Sequence, residues 1–316
     1  MTDSSFTKKK LKISFDIVDN GFNGGDETLD ILGHRVSCQI ENAAFESGVT
    51  CALRIEGMHL SDMNRLSTLQ AGFVQQSQNS VTVLASDGGP YQAVFSDGVV
   101  EAFIDFSGAP NIAFVVMAQT MAIPAAMKIS TTSFKDSVAV ADIMKTIADK
   151  AGLTFQNNGV TQVLAGGVYY EGTAAMQMQA VAAATRITYC VAMNVLSIWP
   201  EQVKADSAQV EISADNGMMG YPAYSQYGVS VRTLFNSSIG FHTTIKLDSK
   251  YSPAAWVNNY GQLNGLSKTA LHSPSNGVWV AIKVQHDLQS ETPGGLWTTL
   301  IEAARPDFAG LVAYAV

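Results

Sequence analysis

Charged residues are scarce in this chain. Asp, Glu, Lys and Arg make up 15% of 316 residues, while apolar residues make up 47%. A composition this apolar excludes general disorder and predicts a buried core. So little charge also leaves much polar-neutral surface, which suits a chain that spends its life against partners. Basic residues are the scarcer sign, with 19 Lys and Arg against 27 Asp and Glu for a net charge of −8. Nucleic-acid binders need clustered Lys and Arg on the phosphates. The one basic run, Lys8, Lys9 and Lys10 with Lys12, reads as the solvated start of a strand. Cysteine is nearly absent. Cys38, Cys51 and Cys190 are far apart and each lies in an apolar run, so they read as small core residues and not as a disulfide framework. That fits assembly in a reducing cytoplasm.

Apolar runs long enough for a membrane are lacking too. The longest candidate, 109–129, is broken by Pro110, Asn111, Gln119 and Pro124, and reads as a strand followed by a proline-marked connector. The first residues, MTDSSFTKKKLKISFDI, carry no apolar signal-peptide core. The expectation is a soluble protein with no membrane-spanning segment.

Catalytic and cofactor motifs are missing as well. His34, His59, His242, His272 and His286 fall in separate segments, none with a second ligand at zinc spacing. His242 and His286 are expected on the solvent face of strands. The nearest approach to a nucleophile elbow, YGVSVR, has Arg232 where the second glycine belongs. GFNGGD and LAGGVYY lack the Lys-Ser/Thr of a phosphate loop and read as turns. Asp26, Glu27 and Asp30 cluster in an expected loop, where like charges stay in water. No catalytic, cofactor or metal residue is assigned.

What the chain does have is alternation. Leu11, Ile13, Phe15 and Ile17 share one face of a strand, and Val49, Cys51, Leu53 and Ile55 share another. SVTVLAS, YQAVFS and VVEAFIDF read as three strands separated by turns at DGGP and at Asp97-Gly98. The period then changes. Residues 136–152 predict a helix capped by Asp136 or Ser137, striped with Val140, Ile143, Met144 and Ile147, and ended by Gly152. Residues 172–185 predict a second helix, followed by two strands turning near Met193-Asn194. Alternation returns after Val210, with Phe241, Thr243, Ile245 and Leu247 on one face, and Val278, Val280, Ile282 and Val284 on another. The fold class is mainly β with an α+β insertion. The domains are expected at 1–127, 128–200 and 201–316.

One stretch remains without a chemical role: CALRIEGMHLSDMNRLS, a strand, a glycine and a short helix. Followed by SVTVLASDGGPYQAVFSDGVVEAFIDF, it resembles the first tube-like domain of the baseplate (tail) hub proteins of contractile-tailed phages. ISADNGMMGYPAYSQYGVSVRTLFNSSIGFHTTIKLDS is similar to their second tube-like domain, with its characteristic turn at Asn216 to Pro222. NGVWVAIKVQHDLQSETPGGLWTTLIEA resembles that domain's closing hairpin, with Trp297 after the Gly-Gly turn. The chain departs from the pattern at Asp97, inserted before Gly98, and at Ser237, where proline usually follows LFN.

The resemblance implies two tail-tube-like antiparallel β-barrels and a small α/β module in each subunit, and a homotrimer that forms a pseudo-hexameric ring. Such a ring joins the hexameric tail tube to the trimeric central spike and lets phage DNA pass without specific binding. Neighbouring baseplate proteins and the tape measure protein are the further partners implied, and the virion tail baseplate, assembled in the host cytoplasm, is the place. No cofactor is implied. Met58, Leu60, Met63 and Leu66 would cover the barrel from the short helix. Two other readings stand beside it: the hub of a type VI secretion system or tailocin, and a cell-wall-directed enzyme or carbohydrate-binding β protein.

Overall fold

In the computed structural model the described residues are 7–17, 27–44, 48–67, 79–201, 210–225, 228–250 and 275–306. The alternation of the first third becomes seven strands: β1 (Lys10–Ile17), β2 (Glu27–Leu32), β3 (Arg35–Ala44), β4 (Gly48–Glu56), β5 (Ser80–Ser86), β6 (Gln92–Asp105) and β7 (Ala113–Gln119). Helix α1 (Leu60–Leu66) lies between β4 and β5. The strand order is β3-β4-β7-β6-β5-β1-β2, with every neighbour antiparallel. The two four-residue apolar faces read from the sequence are fully buried. Phe15 from β1 meets Phe114 from β7 edge-to-face, ring centroids 6.3 Å apart.

One expected turn is absent. Asp97-Gly98 sits inside a single 14-residue strand. The first half of β6 pairs with β5, from Ala85↔Gln92 to Ser80↔Gly98, and the second half pairs with β7, from Val99↔Ala118 to Asp105↔Ala113. Asp-Gly reverses a chain only when its two flanks pair with each other. Here each flank has a different partner, and Gly98 stays outside the positive-φ region that a primed turn requires. The register shift between Val99 and Glu101 marks the hand-over. The DGGP turn does form, with Gly88 at φ 105°.

Beyond β7 come α2 (Ala122–Ala126), β8 (Thr132–Phe134), β9 (Val138–Ala139), α3 (Val140–Ala151), β10 (Thr154–Asn157), β11 (Val163–Leu164), β12 (Val168–Tyr170), α4 (Ala174–Thr185), β13 (Thr188–Ala192) and β14 (Val195–Trp199). The proline-marked connector is thus a short helical turn containing Pro124. The four stripe residues of α3 are buried against Met178 and Val181 of α4 and Leu196 and Ile198 of β14. Gly152 ends α3 at φ 72°, but the expected caps do not begin it. Ala139 is the N-cap, because residues 138–139 pair with β11 and the Val140 N–H is satisfied by the Gln162 carbonyl at 2.9 Å. A backbone acceptor has replaced the side-chain cap. The β13–β14 turn falls at Met193 and Asn194, both at positive φ. The LAGGVYY glycines lie at a bend, both at positive φ, and a Cβ on Gly166 would lie 2.7 Å from the Lys135 carbonyl oxygen, so only glycine fits.

The remaining strands are β15 (Val210–Ser213), β16 (Met218–Tyr224), β17 (Val229–Leu234), β18 (Thr244–Asp248), β19 (Gly277–Ser290) and β20 (Trp297–Ala304), with a 3-10 turn at Ala214–Asn216. Their order is β16-β17-β20-β19, with β18 on β19 and β15 on β18. The β15–β18 pair is parallel, while β16–β17, β17–β20 and β18–β19 are antiparallel. The β16–β17 hairpin intervenes in sequence, and a parallel neighbour needs such a crossover. Ile212, Val231, Ile245, Leu247, Trp279 and Ile301 form the core here.

The chain divides into two compact units, Met1–Pro200 with Asp287–Trp297, and Glu201–His286 with Thr298–Val316. Residues 128–200 therefore lie within the first unit, although they have a core of their own. The β19–β20 hairpin tip also belongs to the first unit. There Ser290 Oγ donates to the His34 carbonyl at 3.3 Å, and Lys8 pairs with Glu291 at 2.7 Å.

Candidate assembly surface

Helix α1 is too short to be stable alone, so its position depends on what it covers. The chain leaves β4 through Gly57, whose φ of 86° is a left-handed conformation that suits glycine. His59 is the N-cap, without a side-chain bond, and Ser67 closes the helix by donating through N and Oγ to the Met63 carbonyl at 2.9 and 2.8 Å. Met63 and Leu66, three residues apart and so on one helix face, are buried, as is Met58 just before the helix. Leu60 differs from the expectation: it is 52% exposed. The helix packs on β6.

Both faces of a strand carry information, and the outward face of β3, β4, β7 and β6 was not read from the sequence. Register aligns Gln39, Ala52, Met117 and Glu101 in one row across the four strands, with Ser37, Arg54, Val115 and Phe103 in the next. Small Ala52 between longer neighbours leaves a hollow of about 330 Å³, lined by Gln39, Glu41, Thr50, Ala52, Met117 and Gln119 among others. Met117 is 46% exposed and Phe103 37%. The signal was available: it is the second set of alternating positions in the same strands.

The electrostatics of this face are neutral to acidic. Glu41 and Glu101 stand on it, while Arg54 is held by Asp105 at 2.6 Å and lies 3.9 Å from Glu56. The Arg54 guanidinium and the Ser107 hydrogen bonds bring the Asp105 carboxyl down to about 2. Asp97, at the hand-over in β6, behaves oppositely. Burial pushes its carboxyl up to about 6, although the Gly98 N–H donates to Oδ1 at 2.7 Å.

The described residues considered for chemistry are spread over separate elements. Among the described residues, no group of three or more His, Cys, Asp or Glu is placed to hold a metal ion. The cysteines are free and buried, with Cys38 and Cys51 Sγ atoms 3.9 Å apart and burial pushing the Cys190 thiol up to about 12. Asp30 is not in a loop but on β2, paired with Lys12 at 2.7 Å and accepting from Ser14, contacts that lower its pKa. Ser230 and Arg232 lie along β17, not at an elbow. His272, Asp26 and the GFNGGD loop fall outside the described residues.

His242 and His286 are buried, contrary to the solvent-facing expectation. His286 has the same parity in β19 as Val280, Ile282 and Val284, so the sequence did carry its burial, and its Nδ1 meets Thr299 Oγ1 at 2.9 Å. His242 precedes β18 at φ 61°, with its ring 4.3 Å from that of Phe241. Its burial pulls the imidazole down to about 3. No described helix is long and apolar enough to cross a membrane.

Solved structures with this fold include the tail protein from Neisseria meningitidis MC58, 9% identical, with a TM-score of 0.59 over 96% of this chain and 98% of that one. The 43 kDa tail protein of prophage MuSo2 from Shewanella oneidensis is 10% identical, with a TM-score of 0.52 over 95% and 99% of the two chains. The E. coli c3393 protein, a component of the type VI secretion system, is 7% identical, with a TM-score of 0.52 over 86% of this chain and 73% of that one. At these identities the likeness is one of fold. A comparison with the sequences of curated proteins finds no match. The family profile described as baseplate hub gp41 matches residues 11–260, and the chain accordingly belongs to that family of baseplate hub proteins, structural components of the phage tail and not enzymes.

Proposed function

We propose that the protein is the trimeric adaptor of its baseplate. Each copy would supply two tube-like β domains, at 1–127 and 201–316, so that three copies present six similar units to a hexameric tail tube and three to the central spike. Residues 128–200 would lie outside the ring, towards neighbouring baseplate proteins, with the tape measure protein a further partner. Assembly would take place in the host cytoplasm, before the tail is completed. The observation that carries the reading is the hub-family match over residues 11–260, combined with two compact units in one chain that each contain β strands.

The neutral-to-acidic outward face around Ala52 and Met117 is the candidate wall of the DNA passage. A wall lined with free Lys and Arg would retain DNA through phosphate contacts, whereas the one arginine in these rows is tied to Asp105. A ring of this kind also needs an obligate interface, which in stable assemblies is ~2,000 Å² or more.

The test is the mass in solution by light scattering, with negative-stain images, for the chain alone and with its tube and spike proteins. A trimer or a ring of three is expected. A monomer that never closes, even with both partners present, would remove the adaptor reading. The type VI and tailocin readings share this fold, and the hub-family match favours the phage tail over them.

A further inference from the structure

Three Asn-Gly pairs lie among the described residues, at 158–159, 216–217 and 276–277. This pair is the one most open to spontaneous deamidation, because glycine puts no side chain in the way of its own amide nitrogen. Reaction also requires an asparagine side chain free to swing onto that nitrogen. The three pairs differ sharply in this respect.

Asn276 is clamped. Its Nδ2 donates to Asp248 Oδ1 at 3.2 Å and to the Ser249 carbonyl at 3.1 Å, and its Oδ1 accepts from the Ser249 N–H at 2.8 Å. Gly277 that follows is paired with Leu247 in the sheet. At the second pair it is the nucleophile that is engaged: the Gly159 N–H donates to Asn157 Oδ1 at 3.1 Å, and Asn158 Oδ1 accepts from Gln156 at 3.0 Å. Asn216 has neither restraint. It is exposed at the end of the 3-10 turn, its side chain makes no hydrogen bond with any other described residue, and Gly217 sits at φ 87°.

We infer that Asn216-Gly217 is a modification site, a deamidation point built into the turn that opens edge strand β16. The Gly217 nitrogen, losing its proton to hydroxide, attacks Asn216 Cγ. The N–Cγ bond forms, the carboxamide C–N bond breaks, and ammonia leaves, giving a five-membered succinimide. Water then opens the ring at either carbonyl, to aspartate or to isoaspartate. Both products put a second carboxylate beside Asp215. Isoaspartate also inserts a methylene into the main chain, just ahead of the Leu234 N–H to Gly217 carbonyl bond (2.8 Å) and the Met218↔Thr233 pair that starts the β16–β17 ladder. Ageing of the protein therefore acts on the start of β16, the last strand in the described order of the second unit.

The test is incubation of the folded full chain at mildly alkaline pH, with peptide mapping by mass spectrometry and isoaspartate detected by enzymatic methyl transfer. Conversion at Asn216 is expected to run roughly tenfold or more ahead of Asn158 and Asn276, because local structure protects the latter two. In urea the three rates should converge. Equal or slower conversion at Asn216 in the folded chain would overturn the inference. N216Q should abolish the methyl-acceptor signal of that peptide, and persistence of the signal would overturn it too.

Discussion

The Thr120 hydroxyl donates to the Val191 carbonyl at 2.7 Å, 71 residues further along the chain, and accepts from the Val49 N–H at 2.9 Å. Thr120 directly follows β7 and is buried, so this single side chain ties the start of β4 to β13 in the first compact unit. T120V keeps the shape and leaves a buried donor and acceptor unsatisfied, which costs about 1–3 kcal/mol. Urea denaturation followed by tryptophan fluorescence should show a lower midpoint with an unchanged slope.

Phe15 and Phe114 give a larger effect. Both are fully buried, and replacing either by Ala should cost about 3–5 kcal/mol. The F15A/F114A pair should fall short of additivity by about 0.5–1.5 kcal/mol, the worth of the edge-to-face contact. A double-mutant cycle in urea measures it, and full additivity would mean the rings do not interact.

The two faces of α1 separate stability from assembly. Leu60 is exposed, so L60D should change stability by no more than about 0.5 kcal/mol. M63A and L66A open cavities under the helix, and each should cost about 2–5 kcal/mol. If L60D nevertheless lowers the mass seen by light scattering in the presence of partners, this helix face meets a neighbour. An unchanged mass would confine α1 to covering β6.

Asp97 makes the first unit prefer acid. Its folded pKa, about 6, lies above the ordinary 3.8, so the folded state holds the proton more tightly than the unfolded one. The stabilisation is complete below pH 3.8 and is lost as pH rises through 6. Allowing for the group's partial solvent contact, the change is about 1–2 kcal/mol. D97N keeps an acceptor for the Gly98 N–H, and should raise stability at pH 7 and flatten the profile across this window.

His242 gives the second unit the opposite slope. Its folded pKa of about 3 lies below the ordinary 6.5, so its contribution is present above pH 6.5 and is lost as pH falls towards 3. The loss is on the order of 3–5 kcal/mol. H242N retains a residue that tolerates positive φ and should remove this acid sensitivity. Hydrogen exchange at pH 4 and pH 7 reads the two units separately: acid should loosen residues around β18 and tighten those around β6.

Local pattern was enough for several elements. Leu11 to Ile17 and Val49 to Ile55 alternate because a strand turns successive side chains to opposite faces, and their burial follows from that alone. The stripe of α3 and its Gly152 stop were legible for the same reason, as was the turn at Met193-Asn194. The candidate surface was less legible. Met58, Met63 and Leu66 are buried and Leu60 is exposed, a division the pattern did not give, because a seven-residue helix has too few turns to define its buried face by periodicity. The hollow at Ala52 was less legible because it depends on which residues of the neighbouring strands stand beside Ala52, and that register is set by strand pairing.

The sequence by itself determined which residues prefer the interior and where short helices stop. Tertiary structure decided the rest, because it depends on which strands find each other. Asp97-Gly98 runs straight through β6 because β5 and β7 bind its two halves, and α3 starts uncapped because β11 occupies the residues ahead of it. His242 is interior because the segment leading into β18 folds inward at a positive φ that no periodicity announces. Backbone hydrogen bonds between residues distant in sequence settled each of the first two cases, and local preference gave way because it was worth less than the pairing.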